Sequence, residues 1–336
     1  MALARFATLA LIVALSAAPQ KGLTQESAVA VVYHQLGNVS GATTSLQNFD
    51  NHLAVLSTAK YEVLSLPQIL NALRGGIALP EYTIAITFDG AHTSIYEEAW
   101  PRLRALGLPF TVFVATDLID SEGQNYMSWD QLRELSSAGV NIGSLGRVYG
   151  HLATEGNPEK AADDISFAQQ KFIEELGGVP ELFAYPFGEH STSLQELVAR
   201  HGHAAAFGQH SGVLHSKENF LALPRYPLIA NFSDLARFQT VIDSLPLPVT
   251  DLVPTNPLIQ ENPPILGFTI SSDLGPLQKL ACYLARSGRL NLEHLGPTRI
   301  EVRFSQPLEK GRSRINCTLP GPNGRWRWFG MQLLVP

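Results

Sequence analysis

The chain has 336 residues, 45% hydrophobic and 16% charged, with 24 Lys and Arg against 30 Asp and Glu and a formal charge of −6. This excludes a disordered chain, which needs low hydrophobicity and high charge, and there is no basic excess to suggest a nucleic-acid partner. The length suits one large domain and one small one, and the two cysteines, Cys282 and Cys317, allow one bridge but no disulfide scaffold or zinc finger.

Met1 to Arg5 is a short basic start, and Phe6 to Ala17 is an uninterrupted run of apolar and small residues. A run of about a dozen is too short to span a bilayer and fits the apolar region of a secretory signal peptide. Residues 1–18 are therefore expected to be a signal peptide, which places the protein in the periplasm or outside the cell. No later segment is long and apolar enough to be a membrane helix.

From Ala28 to Asp243 short apolar runs alternate with amphipathic stretches. The runs are Ala28–Tyr33, Thr83–Phe88, Phe110–Ala115, Val140–Ile142, Leu182–Tyr185 and Ala204–Phe207. Near-continuous apolar runs rich in Val, Ile and Phe predict strands buried on both faces of a parallel sheet. Between them, Phe49, Leu53 and Leu56, then Ile95, Leu103 and Leu106, then Trp129, Leu132 and Leu135, and finally Ile165, Ala168, Phe172 and Leu176 recur at helical spacing. The alternation predicts an α/β barrel or doubly wound sheet over 28–243. Prolines crowd residues 244–264, which predicts a linker. Beyond it, 265–336 reads as a small β-rich domain of short strands parted by Gly, Pro and Asn turns, and it holds both cysteines. In that domain Trp326 and Trp328 alternate with Arg325 and Arg327, so both indoles are expected on one strand face, as in the core of a small sandwich.

Polar residues follow the ends of the apolar runs: His34, Asp89, His92 and Glu189. In barrels of alternating strands and helices, functional groups project from the C-terminal strand ends. No nucleophile elbow follows a strand, and no phosphate-binding Gly-rich loop is present.

Several strings are recognisable together: Tyr33-His34, Thr87-Phe88-Asp89, Phe110-Thr111-Val112-Phe113-Val114, Ser128-Trp129-Asp130-Gln131-Leu132, Ile142-Gly143-Ser144 and Tyr185-Pro186-Phe187-Gly188. In their order and spacing they resemble the polysaccharide deacetylase family, the NodB-homology family 4 carbohydrate esterases. Phe207-Gly208-Gln209-His210-Ser211-Gly212, Leu223-Pro224-Arg225 and Gly311 to Thr318 resemble an exported branch with a C-terminal β-module. The resemblance implies a distorted (β/α) barrel that removes acetyl groups from N-acetylated sugars with a divalent metal, usually zinc. It implies Asp89 as the general base and a groove at Tyr185, Pro186, Phe187 and Gly188; His34, His92 and His151, expected at the same rim, and Trp129 and Arg225 are read as further groove residues. Trp129 also reads as core packing.

The family's metal ligands are a second Asp after the base and two His at i and i+4. Those positions here are Gly90, Leu145 and Tyr149. Gly and Leu offer no donor atom and Tyr is a poor substitute for imidazole, so no metal or other cofactor is expected. The expected function is binding or scaffolding of an N-acetylated polysaccharide or cell-envelope glycan. The alternative is an active N-deacetylase whose zinc or other divalent metal is held by a rebuilt site of Asp89, His92 and His151.

Overall fold

The computed structural model describes residues 24–37, 43–121, 125–154, 158–271 and 274–336. The expected signal peptide lies outside these residues. Among them, no helix is long and apolar enough to cross a membrane.

The strands Ser27–Tyr33, Thr83–Asp89, Phe110–Val114, Asn141–Ser144, Leu182–Ala184 and Ala205–Phe207 lie side by side in chain order and pair in parallel. Every residue of Ser27–Tyr33 and Thr83–Asp89 is buried, because helices cover one face of the sheet and the other is enclosed by its own curl and by the helix Leu66–Gly75. The chain then returns: Leu223 bridges to Phe207, and Tyr226–Pro227 pairs in parallel with the first strand. Residues 223–227 thus span the gap between the last strand and the first, and curl the sheet into a distorted barrel. Arg225, in the middle of that span, has no exposed surface.

The helices form where the periodicity placed them. Ser65 with Gln68, and Ser128 with Gln131, make reciprocal capping boxes at the starts of Leu66–Gly75 and Trp129–Ser137. Phe49, Leu53 and Leu56 are all buried on Leu46–Leu56. Leu106, expected on a core face, lies just past the end of Trp100–Ala105 and is exposed.

The C-terminal region is a sandwich of two sheets. One runs in the order Leu245–Pro246, Trp326–Val335, Gly311–Pro320, Ala281–Leu284, Gly288–Arg289, and the other Val249–Val253, Leu266–Ile270, Arg299–Arg303, Asn291–Leu295. Phe268, Ile270, Ile300 and Val302 from one sheet and Ile315, Cys317 and Leu333 from the other share one core. Cys282 and Cys317 face each other in register and form a disulfide.

The expected linker needs correction, since 244–264 carries two strands of this sandwich. Leu245–Pro246 is an edge strand of the first sheet and Val249–Val253 an edge strand of the second. Proline lacks a ladder donor, but an edge strand has a side that needs none. The expectation for the two indoles also fails in part: Trp326 is 42% exposed, whereas Trp328 leaves the sandwich and packs on Tyr226 of the barrel.

The long strands Gly311–Pro320 and Trp326–Val335 lie against the barrel. Gly330 approaches so closely that a Cβ there would meet the Ser211 carbonyl at 2.1 Å. Gln332 Nε2 donates to the Phe187 carbonyl at 3.2 Å.

Candidate functional site

Asp89 is the last residue of Thr83–Asp89 and points into the barrel mouth, where Arg225 meets it. Arg225 Nη1 donates to Asp89 Oδ1 at 2.6 Å and Nη2 to Oδ2 at 2.9 Å, and neither side chain has solvent exposure. Arg225 Nε donates to the Gly208 carbonyl at 3.0 Å, and the guanidinium lies over Phe113 and Phe207. A bidentate, desolvated pair needs this degree of satisfaction to offset its dehydration. Gln209 joins it, its Nε2 donating to Asp89 Oδ2 at 3.0 Å. Both carboxylate oxygens are therefore already accepting hydrogen bonds.

Gln209 packs against a turn that requires glycine at position 188. Phe187 and Gly188 have φ of +58° and +71°, and a Cβ at Gly188 would meet Gln209 N at 2.4 Å. The far end of Gln209 reaches the other domain: Oε1 accepts from Arg314 Nη2 at 3.3 Å, and Arg314 Nε donates to Gln332 Oε1 at 2.9 Å. Asp89, Gln209 and Arg314 thus form one hydrogen-bonded line from barrel to sandwich.

Three residues stand at the metal-ligand positions implied by the resemblance. Gly90 has φ +102° and bears no side chain. Leu145 is fully buried in an apolar cluster. Tyr149 Oη lies 3.5 Å from His34 Nε2. Burial, reinforced by the Asp89 charge, pushes the Tyr149 hydroxyl up to about 12, so it stays protonated. Burial lowers His34, with the Asp89 charge opposing, and His34 Nδ1 is buried with no hydrogen-bond partner. The loop carrying Leu145 to Tyr149 is pinned by buried Asp164, which accepts from the N–H groups of Arg147 (2.8 Å) and Val148 (3.0 Å).

At the rim, His151 Nδ1 lies 2.8 Å from Glu189 Oε2, with the His151 side chain 59% exposed and Glu189 buried. His151 stacks on Phe187 at 4.6 Å, and Tyr149 meets the same ring edge-on at 4.5 Å. Arg312 of the sandwich lies over Phe187 and 3.5 Å from Glu189 Oε1.

The structure brings Asp89, His34, Tyr149, His151, Phe187 and Arg225 to one mouth but separates other expected groove residues. Trp129 packs edge-on against Phe172 between helices, its Nε1 donating to Asp120 Oδ1 at 2.7 Å, so it is core rather than groove. His92 turns away, its Nδ1 3.0 Å from Ser94 Oγ and its ring against Tyr126. Tyr185 is buried and donates to the Leu221 carbonyl at 2.8 Å, so its ring lines no groove, and Pro186 is buried beside it. Gly188 shapes the turn, and Arg225 lies beneath the surface holding Asp89. Asp89, His92 and His151 do not converge, and among the described residues no group of three or more His, Cys, Asp or Glu side chains is placed to hold a metal.

Gln209, Arg312, Arg314 and Gln332 were not among the expected site residues. The first three lie in the strings around Phe207-Gly208-Gln209 and Gly311-Arg312-Ser313-Arg314, which was the available signal.

With that geometry in hand, a family model described as polysaccharide deacetylase matches residues 77–206. Residues 77–206 of the chain are thus a polysaccharide deacetylase domain. A relative, the poly-beta-1,6-N-acetyl-D-glucosamine N-deacetylase of Escherichia coli (strain K12), is 27% identical over 224 residues, covering 54% of this chain and 33% of the enzyme. The chain thus spans about a third of that curated relative. Among solved structures, the deacetylase PplD of Streptococcus pyogenes in complex with acetate superposes with a TM-score of 0.60 at 17% identity, over 64% of this chain and 98% of that one. IcaB from Ammonifex degensii gives a TM-score of 0.60 at 21% identity, over 66% and 99%. At these identities the likeness shows a shared distorted (β/α) barrel fold over about two thirds of the chain.

Proposed function

We propose that this polysaccharide deacetylase-family protein binds an N-acetylated cell-envelope glycan at the barrel mouth without hydrolysing it. The observation that carries the reading is Asp89, whose two oxygens are occupied by Arg225 and Gln209 beside positions 90, 145 and 149 that carry Gly, Leu and a protonated Tyr.

Amide hydrolysis by the family's route needs a polarised carbonyl and a water acidified to near neutrality, both supplied by a divalent metal. The donor set here does not fit such an ion. Gly90 and Leu145 provide no donor atom, the Tyr149 hydroxyl keeps its proton, and the guanidiniums of Arg225 and Arg314 lie on either side of Gln209. Arg225 is neutralised by Asp89, but Arg314 makes no ion pair among the described residues, so a fixed positive charge stands where a deacetylase would need to attract a divalent cation. What remains suits recognition: a protonated phenol, an imidazole, exposed His151 stacked on Phe187, and amide and guanidinium donors.

The reading also includes export. The apolar run Phe6 to Ala17 supports it, as does the Cys282–Cys317 disulfide, which suits an oxidising compartment.

Calorimetric titration with chitohexaose, together with acetate-release assays with and without added zinc, tests the proposal. The expected result is saturable binding with no acetate above the uncatalysed background. Zinc-dependent acetate release that Asp89→Asn abolishes would overturn it.

A further inference from the structure

Arg314 is a partly desolvated guanidinium whose hydrogen bonds go to neutral amides. Nε donates to Gln332 Oε1 and Nη2 to Gln209 Oε1. Among the described residues no carboxylate lies within ion-pairing distance of it, although Arg225 has Asp89 and Arg312 has Glu189. A guanidinium removed from bulk water without a counter-charge is unfavourable unless something else compensates it. Burial, together with the neighbouring Arg312 charge, lowers Arg314 to about 10 against the opposing charge of Glu189, which makes no direct ion pair with it, so Arg314 remains charged at neutral pH.

The surroundings add up to one surplus positive charge. Arg225, Arg312 and Arg314 face the carboxylates of Asp89 and Glu189, while His34 and Tyr149 are neutral at pH 7 because burial disfavours their charged forms. The groups turned toward the mouth are mostly donors. Arg314 is half-buried, the Tyr149 hydroxyl is protonated, and Arg312 lies at the rim over Phe187 with exposed His151 stacked on that ring. The resulting site belongs to neither domain alone, because the barrel supplies Tyr149, His34 and the Phe187 and His151 rings and the sandwich supplies the free charge.

We propose that this composite mouth recognises a saccharide bearing a carboxylate, with Arg314 of the sandwich as the anchor for that group and Tyr149 and Arg312 beside it. The inference rests on the glycan-binding reading and specifies its ligand class. Arginine matches a carboxylate through two parallel N–H donors, a geometry that a lysine or a neutral amide does not offer. The exposed His151 ring gives the sugar a flat neighbour. The charge that a metal would bring to an active deacetylase is replaced here by a fixed monovalent cation carried in from the second domain.

A matched pair of probes tests this: chitohexaose, and chitohexaose oxidised at C6 so that it carries carboxylates, both titrated calorimetrically into the full chain at pH 7. The oxidised probe is expected to bind at least tenfold more tightly in 50 mM salt, with the advantage shrinking in 0.5 M salt as the charges are screened. Arg314→Gln is expected to remove the advantage, bringing the ratio of the two affinities to about one. If Arg314→Gln fails to fold, Arg312→Gln, at an exposed position, is expected to cut the advantage severalfold and decides the matter with the salt series. Equal affinity for the two probes overturns the acidic-ligand inference and leaves the glycan reading standing. Binding of neither probe overturns both. Tighter binding of the oxidised probe that neither variant weakens also overturns the assignment to this mouth.

Discussion

Arg225 and Asp89, 136 residues apart in sequence, meet as a bidentate pair at 2.6 and 2.9 Å with no solvent on either side chain. The pair closes the barrel from inside, because Arg225 belongs to the segment spanning the first and last strands. Removing one partner leaves a buried charge uncompensated, which costs about 3–5 kcal/mol. Arg225→Met is expected to destabilise the protein by that amount in urea unfolding, and Asp89→Asn by a comparable amount. The double variant is expected to lose less than the two single losses combined, since it buries no lone charge. A loss below about 1 kcal/mol for Arg225→Met would contradict this role.

The barrel strands were legible because strands buried on both faces announce themselves as apolar runs, and Asp89 was legible because it ends one of them. The mouth was harder to read. Arg225 and Gln209 meet Asp89 only after the sheet has curled, and Arg314 reaches Gln209 from 105 residues away, so no local pattern marks the contact. Trp129 reads both as groove and as core from its motif and its helical spacing, and as the first residue of its helix it turns its ring toward Phe172 in the core. The proline-rich stretch looked like a linker because composition does not distinguish an edge strand from a loop.

Restoring the family's ligands one by one meets the backbone that replaced them. Gly90 sits at φ +102°, where a side chain is strained by about 1–3 kcal/mol, and Leu145 is enclosed in an apolar cluster where an imidazole finds no solvent. The combined Gly90→Asp, Leu145→His and Tyr149→His variant is expected to bind no stoichiometric zinc while Arg314 remains. Equilibrium dialysis with zinc checks this, and one ion bound per chain would show that missing ligands were the sole obstacle.

Acid is expected to unfold the protein early. Burial lowers His52, His190 and His203 to about 4, and lowers His210 to about 3 with His190, Arg314 and Arg225 adding to the effect. An unfolded histidine titrates near 6.5, so between about 6.5 and 4 the unfolded chain binds protons that the folded chain refuses. Stability therefore falls as pH drops through that window, by up to about 1.4 kcal/mol per pH unit for each of these side chains. Melting temperature measured from pH 7.5 to 5 is expected to decline steadily below 6.5. A flat profile would contradict the neutral burial of these rings.

The disulfide joins neighbouring strands of one sheet at a sequence separation of 35. Closing a loop of this order stabilises by roughly 3–4 kcal/mol in the chain-entropy model. Thiol titration of the denatured, unreduced protein is expected to find no free thiol, and reductant is expected to lower the melting of the sandwich. Two free thiols per chain would refute the bridge.

The central claim is that the barrel mouth recognises glycan through fixed donors rather than through a metal. Its most direct test is the metal content of purified protein after incubation with excess zinc and removal of free ion. The account predicts well under one zinc per chain, with chitohexaose affinity unchanged by chelator. One tightly held zinc per chain, lost in Asp89→Asn or His34→Gln and required for acetate release, would contradict it.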